Sequence, residues 1–512
     1  MDRNVFIAII LSIVILIAYQ YLFLQPTLPP PPQEKPVAKE PAQELPKKPQ
    51  QQITIPVVTK EPKETERNIV VENDFYSAIF TTRGGTVKSI TLKNYTDKNG
   101  KQITLKGDNI IPPFALGADE RFQLSHLVFR TKGSDIKLGP SLPTASLIFE
   151  YASPDFTIIR TYTFIFDDYS FGLKEEVKGL NSYWITIGKD FGVFEKEDSV
   201  HIGPVLLKDA DRLEFNAGDL AKEGPKSYKQ GLKWIAQEDK YFFASIIPKT
   251  PIEEAKVWNS DGNALIALRM PEGSNSYLIY VGPKEYDRLK KYTVGLEHIV
   301  DYGFFSILAI PLLWIMKQFY DIFPNYGVAI ILLTIVTRVP FIPIISKGMT
   351  SMKKVQDIQP KMAEIREKYK KDPKRMNQEL MALYKKHKVN PFGGCLPILL
   401  QIPVFFALFK ILSISIELRG APFMLWITDL SVKDPYYILP IIMGATMVLQ
   451  QKMTPSTMDP KQQKLMMLLP VVFTFLFLTF PSGLVLYWLI NNILGIAQQL
   501  YMNKKAAKTN SV

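Results

Sequence analysis

The segment that decides the fold lies in the middle of the chain, where residues 330–340 read IILLTIVTRVP. It belongs to an apolar run, Gly327 to Ser346, which is long enough to cross a hydrocarbon core roughly 30 Å thick. At about 1.5 Å per residue, Arg338 lies on the order of 12 Å from the end of the run near Ser346. A guanidinium at that depth costs a few kcal/mol unless it faces protein or water. We therefore expect Arg338 to face a polar cavity within the membrane.

A second interpretation of Arg338 is structural. Its side chain could extend to the lipid headgroups, helped by Pro340 and Pro343, which would shorten the helix. Thr334 lies four residues earlier and so on the same helix face, which indicates a polar stripe. The alternative for Thr334 is a hydroxyl that bonds to the backbone of its own helix.

Other apolar segments also contain polar side chains, among them Gln401 and Asn491. Each could be an ordinary hydrogen-bonding contact between helices. Together with Arg338 they fit an amphiphilic cavity. No Asp or Glu lies in the middle of an apolar segment, so we expect the partner of Arg338 to be water or an incoming, often acidic, polypeptide.

The apolar segments predict a polytopic α-helical membrane protein with six transmembrane helices. Residues 1–25 are interpreted as an uncleaved anchor, because a cleaved signal peptide would have a shorter apolar region and small residues at its cleavage site. Gly303 to Met316, about 14 residues with Pro311 inside, is too short for a comfortable crossing. We place it in an interfacial amphipathic region, residues 286–322. A core at 323–502 holds five spans: Gly327 to Ser346, Gly394 to Leu412, Tyr437 to Leu449, Leu465 to Phe480 and Leu484 to Leu500.

The first half of the chain has a different composition. Residues 26–67 form a linker, with eleven prolines between 26 and 62, and cannot bury a core. Residues 68–285 show short alternating apolar runs separated by turn signals, which predict a large antiparallel β-sandwich.

The distribution of charge predicts the orientation. Between Lys347 and Lys388 there are 13 Lys or Arg and five Asp or Glu. The positive-inside rule places this connection, and the basic tail at 503–512, in the cytoplasm. With six spans, both termini are cytoplasmic and the β domain lies on the opposite side of the membrane.

The basic connection, residues 347–390, has the pattern of an amphipathic helical hairpin. Apolar residues recur every three or four positions from Val355 to Tyr369, and Asp372-Pro373 is typical of the start of a second helix. The hairpin is either a docking arm for ribosomes, targeting factors or nascent chains, or a charged surface that only sets topology.

Several classes of site are excluded. The single cysteine, Cys395, cannot form a disulfide within one chain. The four histidines lie far apart without metal-ligand spacing, so we predict no metal and no cofactor. The net charge of +12 follows the membrane-flanking loops, and no nucleic-acid substrate is expected.

Several sequence blocks resemble the YidC/Oxa/Alb family of membrane insertases, in its Gram-negative form with a large periplasmic domain. The β domain contributes WIA at 234–236 and DKYF at 239–242. The helical half contributes LLT at 332–334 with Arg338, QELMALYK at 378–385, VNPFGGCLP at 389–397, DPYYILP at 434–440 and FPSGLVLY at 480–487.

The resemblance implies a five-helix insertase core with a hydrophilic groove, lined by Arg338, Thr334 and Gln401. Tyr487 and Trp488 fall where the family has aromatic substrate contacts, although Trp488 replaces the Tyr common there. For the β domain the resemblance implies a supersandwich fold, without an enzymatic activity.

The implied function is insertion and folding of new inner-membrane proteins, alone or with the Sec translocon. Its partners would be nascent membrane proteins, ribosomes or targeting factors at the hairpin, and membrane lipids. Two alternatives remain: a secondary transporter, which would show inverted repeats and midplane carboxylates, and an enzyme acting on envelope glycans, which would need an acid/base pair in the β domain.

Overall fold

The structure is a computed structural model, and its described part begins at residue 65. The predicted anchor, most of the linker, Cys395 and the last residues of the tail lie outside the described residues. For residues 396–400, 460–465 and 505–509 only the backbone is described. The described ranges are 65–97, 99–107, 110–189, 191–192, 200–387, 396–453 and 460–509.

The first described domain is built from two sheets. One sheet has six strands in the order β10-β4-β3-β2-β1-β6, and the other has eleven, with the central order β12-β11-β14-β15-β17-β9-β8-β7. The strands are β1 Asn68–Glu72, β2 Tyr76–Thr81, β3 Thr86–Thr96, β4 Gln102–Gly107, β5 Leu116–Gly117, β6 Ile136–Lys137, β7 Thr144–Ala152, β8 Thr157–Ile165, β9 Ser170–Thr186, β10 Phe191–Gly192, β11 Gly203–Lys208, β12 Asp211–Glu214, β13 Lys226–Tyr228, β14 Leu232–Glu238, β15 Phe242–Pro248, β16 Glu254–Ser260 and β17 Asn263–Pro283.

Alternation along the strands explains the core between the sheets. On β8 the side chains of Ile158, Arg160, Tyr162 and Phe164 are buried, and the residues between them are partly or fully exposed. This period of two is that of a strand with one face on a core. Among the buried side chains is an ion pair, Arg160 Nη2 to Glu175 Oε1 at 2.9 Å.

The second half of the chain is helical. The helices are α1 Ala217–Glu223, which belongs to the β domain, α2 Tyr286–Lys290, α3 Ser306–Ile322, α4 Tyr326–Arg338, α5 Ile342–Asp357, α6 Gln359–Lys368, α7 Pro373–Lys386, α8 Leu396–Ile414, α9 Ile438–Met453, α10 Pro460–Phe477 and α11 Ser482–Thr509. Short 3₁₀ turns occur at Gln123–His126, Leu296–Ile299, Gly303–Phe305, Val339–Phe341 and Ile416–Leu418.

Two of the described helical segments, Gly303–Ile322 and Tyr326–Asp357, are long and apolar enough to cross a membrane. Three other apolar helical segments are shorter: Gln401–Ile414, Ile438–Met453 and Met466–Phe477. The prediction of six spanning helices therefore stays a prediction.

The helix that begins near Gly303 continues six residues beyond the apolar run that ends at Met316. Lys317 is the first charged residue after that run, and its ammonium lies 2.7 Å from Asp287 Oδ2 and 2.6 Å from Glu417 Oε1. These contacts neutralise the charge of Lys317. The helix is thereby held between α2 and the loop after α8.

The segment with Arg338 is broken at that residue. Helix α4 ends at Arg338, the 3₁₀ turn Val339–Phe341 follows, and α5 begins at Ile342. Pro340 and Pro343 lack the amide hydrogens that a continuous helix would use, which accounts for the break. Arg338 therefore occupies the last turn of a helix.

The basic connection forms the predicted hairpin of α6 and α7. Its small core contains Val355, Ile358, Met362 and Leu380. Asp372 caps α7 by accepting a hydrogen bond from the Arg375 amide at 3.1 Å, which confirms the predicted capping role. Val355, however, lies on α5, because the chain turns at Ile358 before the proline of α6.

Candidate functional site

Arg338 is half-buried and is held by one residue of α11. Its Nη1 donates to the backbone oxygen of Asn491 at 2.8 Å and to the Asn491 side-chain oxygen at 2.5 Å. Its Nε is buried and has no hydrogen-bond partner in the part of the chain that the structure describes. One edge of the guanidinium is therefore fixed, and a donor remains available for water or another molecule.

A narrow cavity lies beside this guanidinium. It is lined by Thr337, Arg338, Phe341, Ile345, Gln401, Val404 and Asn491, and it has room for roughly one water molecule. None of these lining residues is acidic. Tyr487 is buried next to the cavity, where its hydroxyl interacts with the Gln401 side chain and with Arg338.

A glycine of α11 permits the close approach of Arg338. A Cβ atom at Gly495 would lie 3.2 Å from Arg338 Nη2 and 2.5 Å from Gln450 Nε2. A side chain there would therefore move Gln450 and press on the guanidinium. Gly495 gave no sequence signal, since its role depends on which helix faces it.

Four of the six predicted groove residues come together: Arg338, Gln401, Tyr487 and Asn491. Thr334 is not among the residues that line the cavity. It is buried, and its hydroxyl donates to the Ile330 carbonyl at 2.7 Å. This is the second interpretation of Thr334, in which the hydroxyl donates its hydrogen bond to the backbone of its own helix. Thr337, one turn later, lines the cavity instead.

Trp488 lies away from Arg338, in an aromatic cluster. Its ring centroid is 4.9 Å from that of Phe405, 5.3 Å from Phe477 and 6.1 Å from Phe473. Its indole nitrogen is buried without a hydrogen-bond partner among the described residues. Consecutive helix residues point about 100° apart, which explains why Tyr487 and Trp488 face different surroundings.

Asn492, the residue after Asn491, makes an interhelical contact of the ordinary kind. Its Nδ2 donates to Thr446 Oγ1 at 3.2 Å and, more weakly, to the Met443 carbonyl at 3.5 Å. These bonds join α11 to α9. Of the two adjacent asparagines, one therefore binds the arginine and the other joins two helices.

The described chain combines apolar helices, a large β domain and a small cavity beside an arginine of the helical half. Residues 318–509 match the family model described as 60Kd inner membrane protein, and residues 68–315 match that of the YidC periplasmic domain. The chain belongs to the YidC family of membrane protein insertases.

Individual relatives agree over the full length. The membrane protein insertase YidC of Geotalea daltonii is 44% identical over 98% of this chain and 99% of its own. That of Syntrophus aciditrophicus is 41% identical over 99% of this chain and 100% of its own. A solved structure of an active YidC insertase covers 85% of this chain and 92% of its own at 19% identity, with a TM-score of 0.38.

The family confirms the resemblance drawn from the sequence blocks. It also confirms that the chain belongs among insertases rather than enzymes, transporters or glycan-acting proteins. In the β domain, the charged pair Arg160 and Glu175 has fully buried side chains, which is unlike an acid/base pair open to a substrate.

Proposed function

We propose that this protein inserts newly made inner-membrane proteins, and helps them fold, by receiving a polar segment of the client at Arg338. The observation that carries the proposal is the state of this guanidinium. Its hydrogen-bonding neighbours are the neutral oxygens of Asn491, the residues that line its cavity include no carboxylate, and its Nε has no partner in the described chain. Its positive charge thus remains available.

The cavity lowers the cost of the first step of insertion. A polar flank of a client loses its hydration when it enters hydrocarbon, which costs several kcal/mol per unpaired group. A cationic cavity that holds water replaces part of that hydration, and an acidic flank gains an attraction as well. Because the cavity has room for roughly one water, a client must widen it as it enters.

The apolar part of the client supplies the driving force in this proposal. Helices α9 and α10 present exposed apolar side chains, including Ile441, Val472 and Phe475. A client segment that slides along such surfaces into lipid is removed from water, and burial contributes about 25 cal/mol per Å² of apolar area. No nucleotide is needed at this step.

The orientation is part of the same proposal. Six spanning helices place the basic hairpin and both termini in the cytoplasm and the β domain, as a supersandwich, in the periplasm. To test this, the native cysteine is replaced and Val200→Cys, Lys370→Cys and Lys505→Cys are labelled in intact cells with an impermeant reagent. Val200→Cys should react from outside, and the other two only after the inner membrane is opened. Labelling of Lys370→Cys from outside would overturn the orientation.

The hairpin of α6 and α7 is proposed to be the docking arm for ribosomes or targeting factors, and the Sec translocon is proposed as a second partner for some clients. The support is the mostly basic, exposed outer surface of the hairpin around a small apolar core. Such a surface recognises partners through distributed charge. Deletion of the hairpin should therefore impair insertion more than any single Lys→Gln change, and a fully active deletion would reduce the hairpin to a topology signal.

The test of the central proposal varies Arg338 and the client together. Purified full-length protein in liposomes is given clients whose translocated tails carry zero to three acidic residues, and insertion is measured by protease protection. Arg338→Lys should retain insertion, because the charge remains. Arg338→Ala should lose it progressively as acidic residues are added, and Arg338→Glu should be worse for the acidic tails.

The control removes an equal charge elsewhere. Arg375 is exposed at the start of α7, and Arg375→Ala should leave the dependence of insertion on tail charge unchanged. If Arg338→Ala lowers only the amount of folded protein and treats all tails alike, Arg338 is structural. If Ala and Lys are tolerated equally for every client, the cavity is not where the client's polar flank is received.

A further inference from the structure

A second pocket lies where α5 passes the end of α11. We name it the α5–α11 pocket. Its volume is about 430 Å³, and it is lined by Ser346, Lys347, Thr350, Ser351 and Lys354 of α5 and by Tyr501 and Met502 of α11. It shares no lining residue with the Arg338 cavity, and nothing in the proposed insertion step uses it.

The polar groups of α5 are arranged along one helix face. Lys347, Thr350 and Lys354 are separated by three and four residues, so their side chains project on the same side. The two lysines are about 10 Å apart along the axis, and the small hydroxyl residue between them leaves the space that the pocket occupies. Two flexible ammonium groups can therefore converge on one anion from opposite ends.

Hydrogen bonds keep the two helices together at this point. Gln498 Nε2 donates to the Ile342 carbonyl at 3.3 Å and to Ser346 Oγ at 3.2 Å. The Ser346 hydroxyl therefore accepts from Gln498, which leaves its own hydrogen free to donate. The Thr350 hydroxyl donates to the Ser346 carbonyl at 2.9 Å. The donors available in the pocket are thus two ammonium groups and at least one hydroxyl.

The charge of the pocket is not compensated locally. The sequence contains no Asp or Glu from 482 to 512 on α11 and the tail, and the one carboxylate of α5 is Asp357, at its last position, three residues after Lys354. Within the described ranges, no ion pair involves Lys347 or Lys354. Exposed Lys504 adds a further positive charge nearby. The complementary ligand is an anion.

The position of the pocket selects the kind of anion. Each helix carries an exposed apolar side chain shortly before its pocket residues: Ile342, 43% exposed, four residues before Ser346, and Leu500, 56% exposed, directly before Tyr501. Tyr501, 67% exposed, comes directly after Leu500, and the lysines follow Ile342 by less than four turns. Along both helices, exposed apolar residues are thus followed by Tyr or Lys. This order is typical of helices that pass from the hydrocarbon core into the layer of lipid headgroups.

We propose that the α5–α11 pocket binds the headgroup of an anionic phospholipid, with the phosphate between Lys347 and Lys354 and the acyl chains along Ile342 and Leu500. Basic pockets between membrane helices are suited to such headgroups. The bound lipid would brace the start of the basic hairpin against the last helix. The proposal does not depend on the role of Arg338.

The experiment compares lipids that differ in headgroup alone. Full-length protein in a neutral detergent is titrated with phosphatidylglycerol or with phosphatidylcholine of the same acyl chains, and bound lipid is counted by native mass spectrometry. We expect a preference for phosphatidylglycerol that falls roughly 10- to 30-fold in Lys347→Gln/Lys354→Gln, since each basic residue near a headgroup contributes on the order of 1 kcal/mol, which is about a fivefold effect.

Matched variants separate the pocket from general surface charge. Lys353→Gln/Lys361→Gln removes the same charge from lysines that do not line the pocket and should keep the preference. Lys347→Arg/Lys354→Arg should keep the preference as well. That result would show that Lys347→Gln/Lys354→Gln loses the preference because it lacks the two charges. Equal losses in the two Gln variants, or no loss in either, would overturn the site.

A final arm distinguishes a lipid from a free anion. Glycerol 3-phosphate and inorganic phosphate are added in excess to the protein loaded with phosphatidylglycerol. If the acyl chains contribute as proposed, neither competes effectively. Displacement at concentrations similar to that of the lipid would show a simple phosphate site and would contradict the proposal.

Discussion

The neutrality of Asn491 is the feature of the Arg338 cavity that can be tested most directly. Its side-chain oxygen lies 2.5 Å from Arg338 Nη1, so Asn491→Asp places a carboxylate beside the guanidinium with almost no change of shape. The arginine remains, but its charge is neutralised within the protein. If an available charge is what the client uses, this substitution should act on insertion like the removal of Arg338.

The expected magnitude follows from the short distance. Two unit charges about 4 Å apart at an effective dielectric constant near 20 attract with about 4 kcal/mol before desolvation is subtracted. If only a third of this remains as net stabilisation, about 1.4 kcal/mol, a client competing for Arg338 is bound tenfold less well. We therefore expect insertion of clients with acidic tails to fall about tenfold, and insertion of clients with neutral tails to change much less.

The assay is protease protection in liposomes, with two control variants at matched protein amounts. Asn491→Ala removes the side-chain acceptor but leaves the backbone oxygen, which already accepts from Arg338 at 2.8 Å, so most activity should remain. Asn503→Asp adds the same charge to α11 about 18 Å further along the axis, at an exposed side chain that can still accept from Gln499 Nε2, and should have the smaller effect. If Asn491→Asp inserts acidic clients as well as the unaltered protein, the charge of Arg338 is not what the client uses.

Three further substitutions test the supporting structure. Asp372→Ala should destabilise the hairpin by about 1 kcal/mol through loss of the helix cap, seen as faster amide exchange there and nowhere else; unchanged exchange would contradict the capping role. Lys317→Met should lower the free energy of unfolding by on the order of 3 kcal/mol, because the nearly buried Glu417 loses its cation. Adding Glu417→Gln should recover much of the lost stability, and an unchanged midpoint of thermal unfolding in Lys317→Met would mean that the pair contributes nothing. Gly327→Ala should cost roughly 1–3 kcal/mol, since its Cβ would clash with the ring of Phe423, and an unchanged midpoint of thermal unfolding would show that this ring moves freely.

Local sequence features predicted much of the architecture. Alternation with a period of two marked the strands of the β domain, and the excess of Lys and Arg marked the hairpin, because both patterns follow directly from which side chains meet water. Asp372 could be identified as a helix cap because a capping hydrogen bond is local and spans only three residues. Arg338 could also be singled out from the sequence, because a guanidinium in an apolar run is costly wherever the helices lie.

The tertiary structure decided which polar residues meet. Thr334 shares a helix face with Arg338, yet its hydroxyl turned to the Ile330 carbonyl, and Trp488 joined an aromatic cluster although its neighbour Tyr487 lies beside the cavity. The role of Gly495 could not be read from the sequence, since it depends on Gln450 and Arg338 arriving from two other helices.

The same distinction holds for the α5–α11 pocket. A helix specifies the faces of its own residues through its period, and the sequence therefore determined the stripe of Lys347, Thr350 and Lys354. The partner that closes the pocket, Tyr501, is about 150 residues away. Its place depends on the angle and rotation at which α11 packs against α5, which side-chain interdigitation sets. The sequence by itself thus determined the elements, their charges and the presence of an arginine in an apolar segment, whereas packing between distant helices decided the partners of that arginine.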